Sequence, residues 1–116
     1  MTKPLIESYR FGHIEIDGTT YTKDVILLPD RVIDHWWRRQ GHSLHPDDLT
    51  AVLDAEPEIL VVGRGAYGRM RVPDQTREAI EARGIKLIVE KSSSAVETYN
   101  RLREERDAAA ALHLTC

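Results

Sequence analysis

The stretch Ile59-Leu60-Val61-Val62-Gly63-Arg64-Gly65-Ala66-Tyr67-Gly68 decides the fold. Four apolar residues run straight into a glycine-rich turn. A short apolar run closed by glycines is the pattern of a strand covered on both faces, as in a parallel sheet. It predicts a central buried strand with a loop of interest at its end.

Downstream, the loop runs through Val72 to Pro73, and a helix is expected over residues 74–83. Ala79 and Ile80 would face inward, and Gly84 closes the helix. Ile85-Lys86-Leu87-Ile88-Val89-Glu90 is the next strand. A strand, a crossover helix and a strand make a parallel pair. Ser92-Ser93-Ser94 offer N-cap chemistry for a long last helix. Its inner face would carry Ala95, Val96, Tyr99, Leu102, Arg106, Ala109 and Ala110, with the alanine run at 108–111 as helix tail. Residues 113–116 form a short terminal strand in this reading.

Upstream, Pro46, Asp47 and Asp48 open a helix that turns Leu49, Val52 and Leu53 to one face. Glu56-Pro57 stops it. Before it lie strand-like runs at 9–16, 19–22, 24–28 and 31–37. Asp17-Gly18 is a hairpin turn, and Pro29-Asp30 makes another turn. The sequence thus describes an α/β, three-layer single domain. A mixed central sheet joins an N-terminal antiparallel β-meander to a C-terminal βαβα unit.

The chain of 116 residues suits one domain with its own core. Hydrophobic residues at 41% and charged residues at 30% describe an ordinary soluble protein. A net charge of −3 gives no bulk attraction to nucleic acid or to an anionic membrane. No apolar window approaches the roughly 18 residues of a membrane span. Met1-Thr2-Lys3-Pro4-Leu5 opens no long apolar leader segment. The one cysteine, Cys116, allows no intrachain disulfide, and the default expectation is a reducing, cytoplasmic setting.

Gly63, Gly65 and Gly68 match the Gly-x-Gly-x-x-Gly dinucleotide pattern, and Glu90 ends the following strand. Pro73 argues against that chemistry, because it would break a helix opening inside the glycine run. Asp74 would repel phosphate at the delayed helix start. No cofactor is therefore expected.

The loops after two parallel strands share one sheet edge, where α/β proteins bind ligands. Gly63, Arg64, Gly65, Arg69, Ser92, Ser93 and Ser94 become a candidate cleft for a small anion, with Arg71 also at hand. Plain serine capping and a tight strand exit explain the same residues structurally. Trp36, Trp37, Arg38 and Arg39 form a candidate interface. In a strand the two tryptophans point to opposite faces, so one would be core. His42 and His45 near Asp47 and Asp48 have only loose ligand spacing, and no metal is expected. With no Gly-x-Ser-x-Gly nucleophile elbow and a terminal Cys116, no catalytic residue is assigned.

Three segments together carry a resemblance. They are Gly41-His42 through Asp48-Leu49, Pro57 through Gly65, and Ala95 through Tyr99-Asn100 with Leu102, Glu105 and the alanine-rich tail. In that order and spacing they resemble the adipogenesis-associated Mth-domain family of small α/β proteins. That family also takes in the mitochondrial complex I assembly factor of the same fold. The Glu105-Arg106-Asp107 stretch departs from its usual glycine-arginine spacing. The resemblance implies a three-layer fold with a mixed sheet and brings no catalytic mechanism. Its eukaryotic members look like assembly or regulatory proteins. This chain shows no mitochondrial presequence, so that location is not carried over. For Tyr99 the expectation is packing, and for Asn100 a hydrogen bond to a neighbouring loop.

The leading expectation is a non-enzymatic protein-binding or assembly domain with an unknown protein partner. The alternative is a small-molecule or anion-binding protein, in enzyme form included, using the glycine–serine cleft. Exposed strand edges leave a homo-oligomer open.

Overall fold

The structure is a computed structural model that describes residues 3–116. Met1 and Thr2, where the reading for a leader segment begins, lie outside the described residues. Strands β1 (Ile6–Arg10), β2 (His13–Ile16) and β3 (Thr19–Tyr21) form one antiparallel sheet in that order. The Asp17-Gly18 turn predicted between β2 and β3 is present, and both residues have positive φ.

The second sheet has five strands. They are β4 (Val25–Leu28), β5 (Arg31–Ile33), β6 (Ile59–Arg64), β7 (Lys86–Glu90) and β8 (Ala108–His113), in the spatial order β5-β4-β8-β6-β7. β6 runs parallel to β7 and to β8, whereas β4 is antiparallel to β8. The sheet is mixed, as the sequence implies. The meander, however, is divided: β4 and β5 leave the first three strands and join the large sheet.

The middle strand is the main departure from expectation. β6 is interior, but the centre belongs to the alanine run, which is a strand and not a helix tail. Helix α3 spans only Ser92–Leu102 and ends before the Glu105-Arg106-Asp107 turn. Alanine favours helices by local propensity. Here tertiary packing overrides that preference, because the slot has close neighbours on both sides. Every residue of β8 is buried. Ala108, Ala110 and Leu112 face one hydrophobic cluster, and Ala109 and Ala111 face the other. That alternation is the period of a strand.

The two clusters define three layers. On one side lie a 3-10 turn (Pro46–Leu49), α1 (Thr50–Ala55) and α2 (Asp74–Glu81), which bring Leu49, Val52, Leu53 and Ile80 to the sheet. On the other lie α3 and the small sheet, with Ala95, Val96, Tyr99, Ile6, Ile14 and Ile16. No helix of the described residues is long and apolar enough to cross a membrane.

Three consecutive side chains of α3 bind the layers together. Thr98 Oγ1 donates to Glu90 Oε1 at 2.6 Å. Tyr99 donates its hydroxyl to Pro4 O at 2.8 Å, and burial pushes its phenol up to about 12. Asn100 accepts from Ile6 N–H at 3.0 Å and donates to Ile6 O at 2.6 Å, so it acts as a short strand partner for β1. Tyr99 packs in the core, as read from sequence, whereas Asn100 bonds strand β1 and not the loop expected as its neighbour.

Ala110→Leu puts a large side chain on the face already closed by α3 and the small sheet. It should destabilise the protein by about 1–3 kcal/mol, measured by urea unfolding. Asn100→Ala leaves two partly buried main-chain groups of Ile6 unpaired. About 1–3 kcal/mol should be lost by the same assay.

Candidate functional site

β5 stops at Ile33 instead of running on to Trp37. Asp34 Oδ1 accepts the His35 N–H at 2.7 Å, and His35 takes a positive φ. The strand cannot continue through that conformation. The chain then turns so that Trp36 is buried and Trp37 stands out, 76% exposed. The split between the two tryptophans matches expectation, though a turn produces it.

Residues 36–39 are held at both ends. Trp36 N–H donates to Asp24 O at 2.8 Å, and its indole Nε1 donates to Asp48 O at 2.8 Å. Arg39 N–H donates to Asp48 Oδ1 at 3.2 Å, and His45 N–H donates to Asp48 Oδ2 at 2.9 Å. Of the four candidate interface residues, Trp37 and Arg39 are exposed. Trp36 and Arg38 lie inside and position them.

Arg38 is the centre of a buried polar cluster. Its guanidinium donates from Nη1 to Asp24 Oδ2 at 2.7 Å and from Nη2 to Gly41 O at 2.9 Å. It also lies over the Trp36 ring, 4.7 Å from the centroid. His113 Nδ1 lies 2.8 Å from Asp24 Oδ2 and 3.0 Å from Arg38 Nη2. One ring nitrogen can donate to the carboxylate or accept from the guanidinium, but not both. Leu114 N–H occupies the other carboxylate oxygen at 2.8 Å.

Burial by itself would raise the Asp24 carboxyl pKa. Hydrogen bonds from His113, Leu114 N–H and Arg38 outweigh it and hold the pKa below the ordinary value. Beside this cluster opens a cavity of about 360 Å³, lined by Lys23, Asp24, His35, Trp36, Trp37 and Thr115.

The glycine loop is built for contact. A Cβ on Gly63 would lie 2.7 Å from Ser92 Oγ and 2.9 Å from Leu112 Cδ2. Gly65 has φ +101°, and its Cβ would lie 2.3 Å from the Cys116 carbonyl carbon. Both positions demand glycine. Ser92 is fully buried: its hydroxyl donates to His113 O at 2.5 Å and accepts from Gly65 N–H at 2.9 Å. It does not cap α3, whose N-cap is Lys91 without a side-chain cap bond. Ser93 and Ser94 are exposed. Arg69 is exposed, with its N–H bonded to Cys116 O at 3.0 Å. Arg64 turns its Nε to Met70 O at 2.7 Å. Gly63, Gly65 and Ser92 therefore touch, while Arg64 lines a separate pocket with Arg71 and Arg77. α2 opens at Asp74, well outside the glycine run.

Asp24, His113 and Arg77 were not singled out from sequence. A strand reading of 108–113 would have found two of them, since Val25 pairs with Leu112 and the next step sets Asp24 beside His113. Among the described residues no group of three or more His, Cys, Asp or Glu side chains gathers as a metal site.

Asp24→Asn leaves the Arg38 guanidinium buried without its counter-charge. Breaking one partner of such a pair costs about 3–5 kcal/mol, so a matching loss in urea unfolding is expected. The wild type should also show a linkage to acid. The folded-state Asp24 pKa is depressed, so its stabilisation is complete above the unfolded value of about 4. It is lost as pH falls through the lower folded value, and Asp24→Asn should flatten that part of the stability–pH curve.

The comparisons with known proteins agree with this architecture. NADH dehydrogenase [ubiquinone] 1 alpha subcomplex assembly factor 3 of Danio rerio is 30% identical over 110 residues. That match covers 92% of this chain and 62% of the fish protein, so the chain spans less than two thirds of that relative. The crystal structure of conserved hypothetical protein PH1505 from Pyrococcus horikoshii OT3 superposes with a TM-score of 0.82 at 26% identity, covering 96% of this chain and 98% of that one. The solution structure of a Mth938-like domain from Bordetella pertussis gives a TM-score of 0.70 at 20% identity, covering 96% of this chain and 85% of that one. The family described as Protein of unknown function (DUF498/DUF598) matches residues 6–113. With that match spanning nearly the whole chain, and with a fold shared with a Mth938-like domain, the protein belongs to the DUF498/DUF598 family.

Proposed function

We propose that this chain is a non-enzymatic protein-binding domain of the assembly kind, and that it engages its partner through Trp37. The observation that carries this reading is an exposed tryptophan on a fixed base. Trp37 is 76% exposed, while its neighbours are anchored through Asp24, Asp48 and Gly41. A covered tryptophan removes about 150–250 Å² from water. Because the flanking backbone is already ordered, little conformational freedom remains to be lost on binding. Tryptophan and arginine also dominate the energetics of interfaces.

A second exposed aromatic pair supports the same face. Phe11 and Tyr67 pack with tilted rings, their centroids 5.9 Å apart. Gly12 N–H bonds Leu114 O, and Ala66 N–H bonds Thr115 O, so the loops of both rings are fastened to the 114–116 segment. Thr115 also lines the cavity beside Trp37. The relative named as an assembly factor adds a precedent of the same class. Cys116 is a free thiol, in keeping with a reducing compartment such as the cytoplasm.

The test is a quantitative binding comparison with a partner purified from the source cell. Trp37→Ala should weaken binding by about 2 kcal/mol or more while leaving the unfolding midpoint unchanged. Trp37→Phe should recover part of the loss. Retained affinity in Trp37→Ala would sink the reading. Light scattering on the isolated protein distinguishes a second copy of this chain from a different protein as the occupant.

A further inference from the structure

Arg64, Arg71 and Arg77 border a single pocket of about 280 Å³, together with Val72 and Val89. The three arginines come from separately fixed pieces of chain. Arg64 ends β6, and its Nε is bonded to Met70 O at 2.7 Å. Arg71 N–H donates to His42 O at 2.8 Å, and Leu44 N–H donates to Arg71 O at 2.9 Å, which fixes the backbone there. Arg77 lies on α2.

Among the described residues, no carboxylate lines the pocket, and none of the three guanidiniums forms a salt bridge. The nearest acid along β7, Glu90, is engaged by Thr98 of α3. Successive strand residues point to opposite faces, so Glu90 turns away from the side that Val89 presents. Three like charges around one small space, bordered besides them only by Val72 and Val89, focus a positive field. This occurs in a chain whose net charge is −3, so it is not part of a generally basic surface.

The pocket lies at the carboxyl ends of the parallel pair β6 and β7, the edge where open α/β sheets receive ligands. It is at the small end of ligand pockets, which run from about 300 to 1,000 Å³. Each guanidinium offers a planar fork of donors suited to an oxyanion. Three two-pronged forks present about six N–H donors, more than the roughly four lone-pair sites of a single carboxylate. The three peripheral oxygens of a phosphoryl group match that number.

We infer that the Arg64–Arg71–Arg77 pocket binds the phosphoryl group of a small phosphorylated molecule. This site differs from the glycine–serine contact, where Ser92 is already engaged by Gly65 and His113. It is also independent of the Trp37 surface, which lines a different cavity.

Inorganic phosphate is the probe. Titrated into the purified protein at low ionic strength and followed by calorimetry, it should bind saturably to one site. Added salt should weaken it. Arg77→Gln and Arg71→Gln should each reduce the affinity about tenfold or more, with circular dichroism unchanged. Arg31→Gln, on the opposite edge strand β5, should leave it unchanged. Absence of saturable binding overturns the inference, and so does an equal loss in Arg31→Gln. Malonate binding as tightly as phosphate would overturn the phosphoryl assignment. Trp37→Ala should retain phosphate binding, so failure of either reading is distinguishable from failure of the other.

Discussion

The structure depends on how closely two layers can approach a strand made of alanine. β8 has four consecutive alanines, all fully buried. Their small side chains let α3 and the small sheet close on one face while the α1–α2 layer closes on the other. The neighbouring strand β6 supplies bulk that β8 lacks: Leu60 and Val62 on one face, Ile59 and Val61 on the other. Interiors pack at crystal-like density, so a slot sized for alanine is as specific as one sized for leucine.

The same strand delivers chemistry at its far end. His113 emerges beside Asp24 of the segment before β4, and Arg38 reaches both from the loop after β5. The cluster ties the hairpin β4–β5, the middle strand and the tryptophan loop to one another. Its ionic members are largely withdrawn from water, at 4% side-chain exposure for Arg38 and 16% for Asp24. A buried charge pair is a weak source of net stability but is costly to break once its partners are in place. Here it fixes where Trp37 stands.

Much of the architecture was legible because several signals are local. The apolar run of β6, the Asp17-Gly18 turn, the Glu56-Pro57 stop and the Pro73 boundary each need only a few residues to be read. β8 was not legible by those means. An alanine run has the propensity of a helix, and four equal side chains show no period of two. The long-range cluster went unseen for a related reason. Arg38 looks like part of a basic surface until Asp24 and His113 are brought to it from 14 and 75 residues away. Arg64 and Arg71 were visible as charges near the glycine loop. Arg77 was not, since nothing in a helical pattern says that one arginine looks toward a strand edge.

The strand order β5-β4-β8-β6-β7 also governs the history of the molecule as it is made. Its middle strand comes after every other strand of that sheet in the chain. Until residues 108–113 are available, β4 and β6 have no shared neighbour, and the two halves of the sheet cannot be joined. During synthesis the sheet therefore cannot close before β8 emerges, and strand edges unpaired until then are of the kind that chaperones attend. Closure also requires strands distant in sequence to meet, which places the final step among slow, non-local folding events. The alanine slot is thus a late keystone, and completion of the fold is tied to emergence of its last strand.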